Sequence, residues 1–408
     1  MASTYLTPDV IAKEALVQAK NNIVMIANVD RQLDAEFTRK VGESIRIRKP
    51  VRLSSVNGPD LTGALSDIIE GSKIVTLDKF KSIGVPITSK EMTLKIEDFS
   101  KQIVEPAMIE LVQNIESDIA AMYKEVWWKA GTAGTTPSTF AHINAVREKM
   151  DLAGVPMDNQ RYAYYNPQAV SALSDSLKNV FPQEIARTAI ERTRMGFYAG
   201  FNTYQSQSLV SHTVGNYGGT PLVNGASQSV TYDSVKNDFK QTLNTDGWTA
   251  SVTGLLKEGD TFTIAGVYAV NPKTRQSTGQ LQDFVVRADV NSTAGGVGTL
   301  SISPAIIVSG PYQTVTTAPA DNAAITVTSG AANAVVPQNM AFHKNAFTLA
   351  MANLEVPMAA KGARESMDGI SVRVVYDYDG LTDQQIVRFD MLYTVAAQNP
   401  AFAVRHLG

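Results

Sequence analysis

The side chains that could do chemistry in this sequence are carboxylates, cations and four histidines, because its 408 residues include no cysteine. Without cysteine there is no disulfide, no thiolate nucleophile and no thiolate ligand for a metal. His142, His212, His343 and His406 lie far apart, with neither HxH nor HExxH spacing, which argues against a zinc enzyme. His343 follows Phe342 at an expected strand end, where a satisfied structural histidine is the reading. Asp233, Asp238 and Asp246 share one loop-rich segment and could offer oxygen ligands to a hard cation. The EF-hand spacing is absent, and the spacing favours a solvated turn. No P-loop, GxSxG or dinucleotide fingerprint occurs. The expectation is no catalytic, cofactor or metal site.

The other concentration of charge is Arg46, Arg48, Lys49 and Arg52. Such a row could contact phosphates, or it could be the solvated face of a strand. Residues 44–53 place Ile45, Ile47, Val51 and Leu53 on one face and Arg46, Arg48 and Arg52 on the other. Strand-like sequence resumes at Lys73–Leu77 and continues toward Pro86, which reads as a long charged hairpin, with Pro50 marking an edge or bulge. Such a hairpin cannot bury both faces alone, so it is expected to lie on a neighbouring molecule.

The elements around these charges can be read in order. Thr7-Pro8-Asp9 has the form of a helix start, and Val10, Ile11, Leu16, Ile23 and Ile26 follow at helical spacing. This segment reads as an arm that docks on something else. Val104, Met108, Leu111, Ile115, Ile119, Met122 and Val126 predict a helix over 104–130, roughly 39 Å long, closed by Trp127 and Trp128. Phe140–Met150 predicts a helix, Tyr162–Tyr165 a strand, Asn166-Pro167 a further helix start, and 182–194 another helix. From about 206 to 336 the chain becomes rich in Thr, Ser, Gly, Val and Asn. Strand patterns at 260–269, 282–288, 298–303 and 324–328 predict a small β-barrel or sandwich. Asn345–Leu354 reads as helix. Ile370, Val372, Val374, Tyr376 and Tyr378 alternate as a strand, 385–396 as its partner, and 401–407 as a last strand.

The length is enough for two or three domains, and 44% hydrophobic with 18% charged residues is a globular composition. A net charge of −3 gives no sign of nucleic-acid wrapping. The first residues lack a basic and an apolar region of the signal-peptide kind, and no stretch approaches roughly 18 uninterrupted apolar residues. Folding in a cytoplasm without contact to a membrane is the expectation.

The order of arm, charged hairpin, long helix, α/β region, β insertion and terminal strands resembles the major capsid proteins of tailed bacteriophages. The similarity is to those of short-tailed phages, which add an inserted β-barrel to the Hong Kong phage-type capsid fold. It is carried by Gly196-Phe197-Tyr198-Ala199-Gly200-Phe201 before the insertion and by residues 256–267, Leu-Lys-Glu-Gly-Asp-Thr-Phe-Thr-Ile-Ala-Gly-Val, within it. Residues 339–347 on the return, and Ser371–Val375 with Arg388-Phe389-Asp390 near the end, carry the rest.

The resemblance implies an α+β fold. Its parts are an N-arm over 1–42, an extended hairpin loop over 43–93, and a peripheral domain with the spine helix over 94–132 and 369–408. An α/β capsomer-centre domain covers 133–205 and 337–368, and an inserted all-β barrel covers 206–336. It implies a structural shell subunit, not an enzyme, that forms hexamers and pentamers of an icosahedral head. Its implied partners are a scaffolding protein, a portal protein at one vertex, packaged double-stranded DNA bound without sequence specificity, and a decoration protein. Assembly in the host bacterial cytoplasm and residence in the virion are implied as well.

On this reading Arg46, Arg48, Lys49 and Arg52 form intersubunit ion pairs, with Asp60, Asp67 and Glu70 as candidate acids. A barrel loop with Asp233, Lys236, Asp238, Lys240 and Asp246 reaches the neighbouring capsomer across a two-fold. Asp9 and Glu14 face a basic helix of the scaffold, or serve as a dipole complement and a surface charge.

Two other readings compete. An encapsulin-like compartment shell shares the fold, but the inserted β domain and the arm count against it. A β-domain binding protein lacks a polar cluster, and Trp248 is the one tryptophan of that domain available for stacking on a sugar.

Overall fold

The computed structural model describes residues 8–34, 37, 42–53, 68–88, 103–177, 196–357, 361–367, 369–379 and 384–408. The chain divides into two compact units. The first comprises Met1–Ile45, Ile74–Ile119 and Phe347–Ala396, and the second Arg46–Lys73, Ala120–Ala346 and Ala397–Gly408.

In the first unit, helix α1 (Pro8–Asn22) buries Ile11, Ala12, Ala15, Leu16 and Ala19 and leaves Val10 and Val17 exposed. Three alanines in that stripe let the helix sit close on strands β17 (Lys361–Met367) and β18 (Ile370–Asp379). This corrects the expectation of an arm that docks elsewhere: the apolar stripe finds its sheet in the same chain. Past α1, the Val24 and Met25 N–H groups donate to the buried carboxylate of Glu116 on the spine helix α2 (Glu105–Ala120).

The spine is shorter than its periodicity predicts. α2 has 16 residues, about 24 Å, and tightens into a 3-10 turn at Ala121–Glu125. Val126, Trp127 and Trp128 then run extended and buried. β-branched and aromatic residues at the end of an apolar period suit an extended path, and here they leave the helix for the core of the second unit.

The sheet of the first unit has the order β16 (Phe347–Ala352), β19 (Gln384–Ala397), β18 and β17, with β3 (Lys79–Thr88) also on β19. β3 is therefore a ten-residue sheet strand, paired from Tyr393↔Lys79 to Gln384↔Thr88, and not the returning arm of the hairpin. β16 (Phe347–Ala352) corrects the helix expected at 345–354. Alanine, leucine and methionine favour helix intrinsically, but Phe347, Leu349, Ala350 and Met351 are all buried, and a strand covered on both faces carries such a continuous apolar run. One face of the sheet buries Val372, Val374, Val387, Phe389, Met391 and Tyr393.

On the opposite face Asp390, fully buried, lies across from Arg373 in register. It accepts from Arg373 Nε at 3.0 Å and Nη2 at 2.5 Å, and from Arg388 Nε at 2.6 Å.

The second unit contains a seven-stranded sheet. Its order is β4 (Lys129–Ala130), β20 (Ala403–Leu407), β15 (Val335–His343), β5 (Arg161–Tyr165), β7 (Phe201–Gln205) and β6 (Gly196–Tyr198), with β8 (Ser211–Thr213) on the start of β15. β20 corrects the assignment of 369–408 to one peripheral domain. All five of its residues are buried, and it pairs with β15 from Gln338↔Leu407 to Phe342↔Ala403. β16 and β17 likewise belong to the sheet of the first unit, not to a domain over 337–368. Helices α3 (Phe140–Leu152) and α4 (Pro167–Leu177) form as expected. Asn166 caps α4 by accepting the Ala169 N–H at 2.7 Å, with Pro167 at the first helical position.

The insertion is a six-stranded sheet of order β14-β11-β12-β13-β10-β9, built from β9 (Gly219–Val223), β10 (Gln241–Trp248), β11 (Thr261–Val270), β12 (Ser277–Val286), β13 (Gly298–Ser303) and β14 (Ile325–Val327). A bridge between Leu222 and Ala324, with Val223 N–H on Ala323 O at 3.0 Å, closes it into a barrel. Leu243, Phe262, Phe284, Leu300 and Ile302 fill it. A short helix α5 (Tyr232–Val235) lies between β9 and β10. Its connection to the parent runs through β8 and β15, paired from Val335↔Thr213 to Pro337↔Ser211.

The charged hairpin consists of β1 (Ser44–Arg48) and β2 (Ser72–Thr76). Thr7, Asp60, Asp67 and the helix expected at 182–194 lie outside the described residues.

Replacing Asp390 by alanine strands two arginines, one of them mostly buried, and should cost about 2–3 kcal/mol in urea unfolding of the unassembled subunit. A loss below about 0.5 kcal/mol would mean that both guanidinium groups are as well served by solvent.

Candidate functional site

The four hairpin cations do not form one surface. Arg46 and Arg48 alternate outward along β1, and Arg48 is 80% exposed with Glu70 at 3.6 Å. Lys49 and Arg52 are engaged within the chain. Lys49 Nζ donates to Lys236 O at 3.1 Å and Asn237 O at 2.6 Å, and the Arg52 N–H donates to Tyr312 Oη at 2.9 Å. Burial pushes both side chains below their ordinary pKa.

The acids and lysines of the insertion are likewise divided. Asp233, on α5, is exposed and paired with Lys236 at 2.9 Å. Asp238 and Lys240 are exposed in the following turn, and Asp246 is on β10, half-buried. No group of three or more potential metal ligands occurs among the described residues. Asp9 falls in the first turn of α1, and Glu14 accepts from Gln18 Nε2 at 3.2 Å, one turn along.

The strongest polar constellation was not marked by any spacing in the sequence. Tyr123 Oη donates to His212 Nδ1 at 2.9 Å, and His212 Nε2 donates to Asp260 Oδ1 at 2.9 Å. Asp260 also accepts from Ser329 Oγ at 2.7 Å, Lys257 N at 2.8 Å and Gly215 N at 3.0 Å. Burial alone would raise the Asp260 pKa. The donors, led by His212 and the Lys257 N–H, outweigh burial and hold it below the carboxylate range. Tyr123 is pushed up to about 12 by burial, against the pull of Arg405.

Arg405, fully buried, lies 5.6 Å over the Tyr123 ring and donates from Nη1 to Gly259 O at 2.7 Å. Burial lowers its pKa to about 10. Gly259 has φ +103°, and a Cβ there would stand 3.1 Å from Tyr123 Cε2 and 3.3 Å from His212 Cε1, so the contact requires glycine.

Tyr123 follows the spine, His212 is on the ingoing leg of the insertion, Asp260 precedes β11, and Ser329 is on the outgoing side. The relay therefore fastens the neck of the barrel. All four of its members are buried, so a substrate in solution has no access to it.

The other histidines are also packed. His343 lies against Asp158 at 3.1 Å, as a structural histidine should. The Ser138 N–H donates to His142 Nδ1 at 3.1 Å, and burial pushes His406 down to about 3.

Buried polar groups here tie elements together, while free charge is left on extended elements and turns. Such a distribution suits a subunit whose work is to join other subunits, and comparison with known proteins gives that class its name. The model of the P22 coat protein family (gene protein 5) matches residues 2–407, and the chain belongs to this family. The major capsid protein of Acyrthosiphon pisum secondary endosymbiont phage 1 is 25% identical over 420 residues, covering 98% of this chain and 97% of that one. A solved structure from Mycobacterium phage Che8 is 13% identical, covers 94% of this chain and 90% of its own, and has a TM-score of 0.48. The CUS-3 coat protein I-domain is 31% identical over 27% of this chain and 94% of its own, with a TM-score of 0.19. The chain is a phage major capsid protein, a building block of the head shell.

Because the Asp260 pKa is depressed in the fold and returns to its ordinary value on unfolding, its stabilisation is complete above about pH 4 and is lost as pH falls through the folded value. Stability of the second unit should therefore decline below about pH 4. Asp260→Asn should remove that decline and cost about 1–3 kcal/mol at pH 7. Tryptophan emission against urea at pH 2–7 reads both, and an unchanged acid limb in the variant would assign the loss to other carboxylates.

Proposed function

We propose that the chain assembles as hexamers and pentamers of an icosahedral head, around a scaffolding protein in the host bacterial cytoplasm, and that the shell later expands around double-stranded DNA held without sequence specificity. The observation that carries this reading is the family match over residues 2–407. A portal protein at one vertex and a decoration protein are its further partners, and no catalytic step belongs to it.

Within the subunit, α1 stays on its own sheet, and Asp9 and Glu14 of that helix meet the scaffold. The β1–β2 hairpin meets a neighbouring subunit through Arg46 and Arg48, and Lys49 and Arg52 support it through contacts within the chain. Asp238 and Lys240, with Asp233, Lys236 and Asp246, are the charged contacts of the barrel to the next capsomer. Charge supports these roles: Arg46, Asp238 and Lys240 are exposed on elements that are otherwise firmly anchored.

Negative-stain electron microscopy of the chain expressed with and without its scaffold gene tests the reading. Closed icosahedral shells with scaffold and aberrant particles without it are expected. Uniform small shells without a partner would favour a compartment, and a persistent monomer in both conditions would overturn the shell reading.

In the same assay Arg46→Glu with Arg48→Glu should reduce closed shells at least about tenfold while circular dichroism stays unchanged. Such a loss corresponds to roughly 1.4 kcal/mol, within reach of a few interfacial charge contacts. Undiminished assembly would remove these two arginines from the interface.

A further inference from the structure

We infer that the hairpin is aimed by the barrel of its own subunit, so that the insertion decides where a neighbouring copy is met. The inference rests on the shell role and adds a positioning device to it. Three struts carry it, and all lie within the second unit.

The first strut is an aromatic ladder. The Arg52 guanidinium stands 5.6 Å over the Tyr312 ring. Tyr312 stacks on Tyr232 with centroids 3.5 Å apart and planes 3° from parallel. Tyr232 meets Phe239 edge-on at 6.4 Å, and Phe239 meets Trp127 at 6.2 Å. A cation at the base of the hairpin is thereby connected through two barrel loops to the core of the parent sheet.

The second strut holds both arms of the hairpin on the turn after α5. Lys49 Nζ reaches the carbonyls of 236 and 237 from one arm, and the Ser72 N–H donates to Asn237 Oδ1 at 3.1 Å from the other. Between them Gly71 approaches so closely that an added Cβ would stand 2.4 Å from Lys236 O and 2.9 Å from Tyr232 Oη. Only glycine allows this approach. The third strut is Arg275, on the turn between β11 and β12, which donates from Nη2 to Leu53 O at 3.0 Å.

An isolated two-stranded ribbon is marginal in water and would sample many directions. Here both arms are fixed where Lys49 meets Gly71, with Leu53 beyond the clamp on one arm and Ile68 on the other. Those two residues are 68% and 72% exposed. Large apolar side chains presented at the outer edge of a rigid clamp suit burial by a second copy. Clamp stiffness therefore sets how accurately Leu53 and Ile68 are presented to that copy.

The test uses full-length Tyr312→Ala, Tyr312→Phe and Gly71→Ala, with amide hydrogen exchange of the unassembled subunit and the diameter distribution of shells formed with scaffold. In Tyr312→Ala the amides of Lys49, Arg52 and Ser72 should exchange at least about tenfold faster, with barrel amides such as Leu243 and Leu300 unchanged, and shells should become mixed in size or open. Tyr312→Phe keeps the ladder and loses the acceptor of the Arg52 N–H, so it should quicken exchange at Arg52 alone and give normal shells. If Tyr312→Ala also loosens the barrel, Gly71→Ala, which lies outside it, should reproduce the hairpin effect alone.

Unchanged exchange at Lys49, Arg52 and Ser72 overturns the clamp. Faster exchange with unchanged shell diameters overturns its role in aiming. Should the unaltered chain form no shells, the shell reading fails, and the exchange data still decide whether the clamp exists.

Discussion

The short pairing of β8 with the start of β15 is the constraint on which the second unit depends. A six-stranded barrel has been placed between two strands of a parent sheet, and three paired positions join its legs. Two strands paired over so short a length would twist and fray. What stiffens them is a polar relay placed at the legs: His212 on the ingoing strand, Asp260 inside the barrel, Ser329 on the outgoing side and Tyr123 from the parent. Each donor of the relay has its acceptor, so the desolvation of Asp260 is offset by four hydrogen bonds from three separate segments. Arg405 completes the neck by fixing the Gly259 carbonyl beside Asp260 and lying on the Tyr123 ring. The barrel is thus joined by directional contacts, which specify an orientation. An apolar seam of the same area would permit sliding.

The same logic separates buried from exposed charge across the protein. Asp390 and Asp260 are fully buried and multiply bonded, and Glu116 holds two backbone N–H groups. Removal of any partner leaves a charge or donor stranded, so these groups are intolerant of change. The exposed cations Arg46 and Arg48 contribute little to folding, because a surface pair such as Arg48–Glu70 at 3.6 Å is worth under about 1 kcal/mol. Such residues are free to serve association. A shell held by many contacts of this strength can form reversibly and correct errors. A shell held by a few strong ones would trap them.

Much of this was legible in the residues because the informative patterns are local. The alternation through Ile45, Arg46, Ile47 and Arg48, the Asn166-Pro167 cap and the strand over 298–303 each depend on neighbours a few positions away. The end of the spine was not legible, since Val126 and Trp127 continue the helical period while their burial lies in another core. β16 was misjudged for a related reason: Phe-Thr-Leu-Ala-Met-Ala has helical propensity, and only its enclosure on both faces makes it a strand. The neck relay was invisible because Tyr123, His212 and Asp260 are joined by the fold across separations of 89 and 48 residues, with no motif to announce them. The hairpin cations were found as a set, and the division of that set was not. Lys49 and Arg52 differ from Arg46 and Arg48 only in which turn of the barrel stands opposite.

On the proposed role of Arg46 and Arg48 in assembly, that division lets one sequence segment serve both folding and assembly. If all four cations faced a neighbour, the hairpin would be unsupported before assembly, and ordering it would subtract from every contact made. If all four were engaged within the chain, nothing charged would remain to meet a neighbour. With Lys49 and Arg52 engaged within the chain and Arg46 and Arg48 left over, the subunit can lose the conformational entropy of its hairpin during folding, before any partner arrives. The glycine at 71 is the condition for this arrangement. It allows the return arm to touch the carbonyl of Lys236, and that approach brings Lys49, Ser72 and Tyr232 within reach of one another. In this subunit the barrel supports the two arms of a hairpin of the same chain, and the precision of that support is set at the neck where the barrel itself is held.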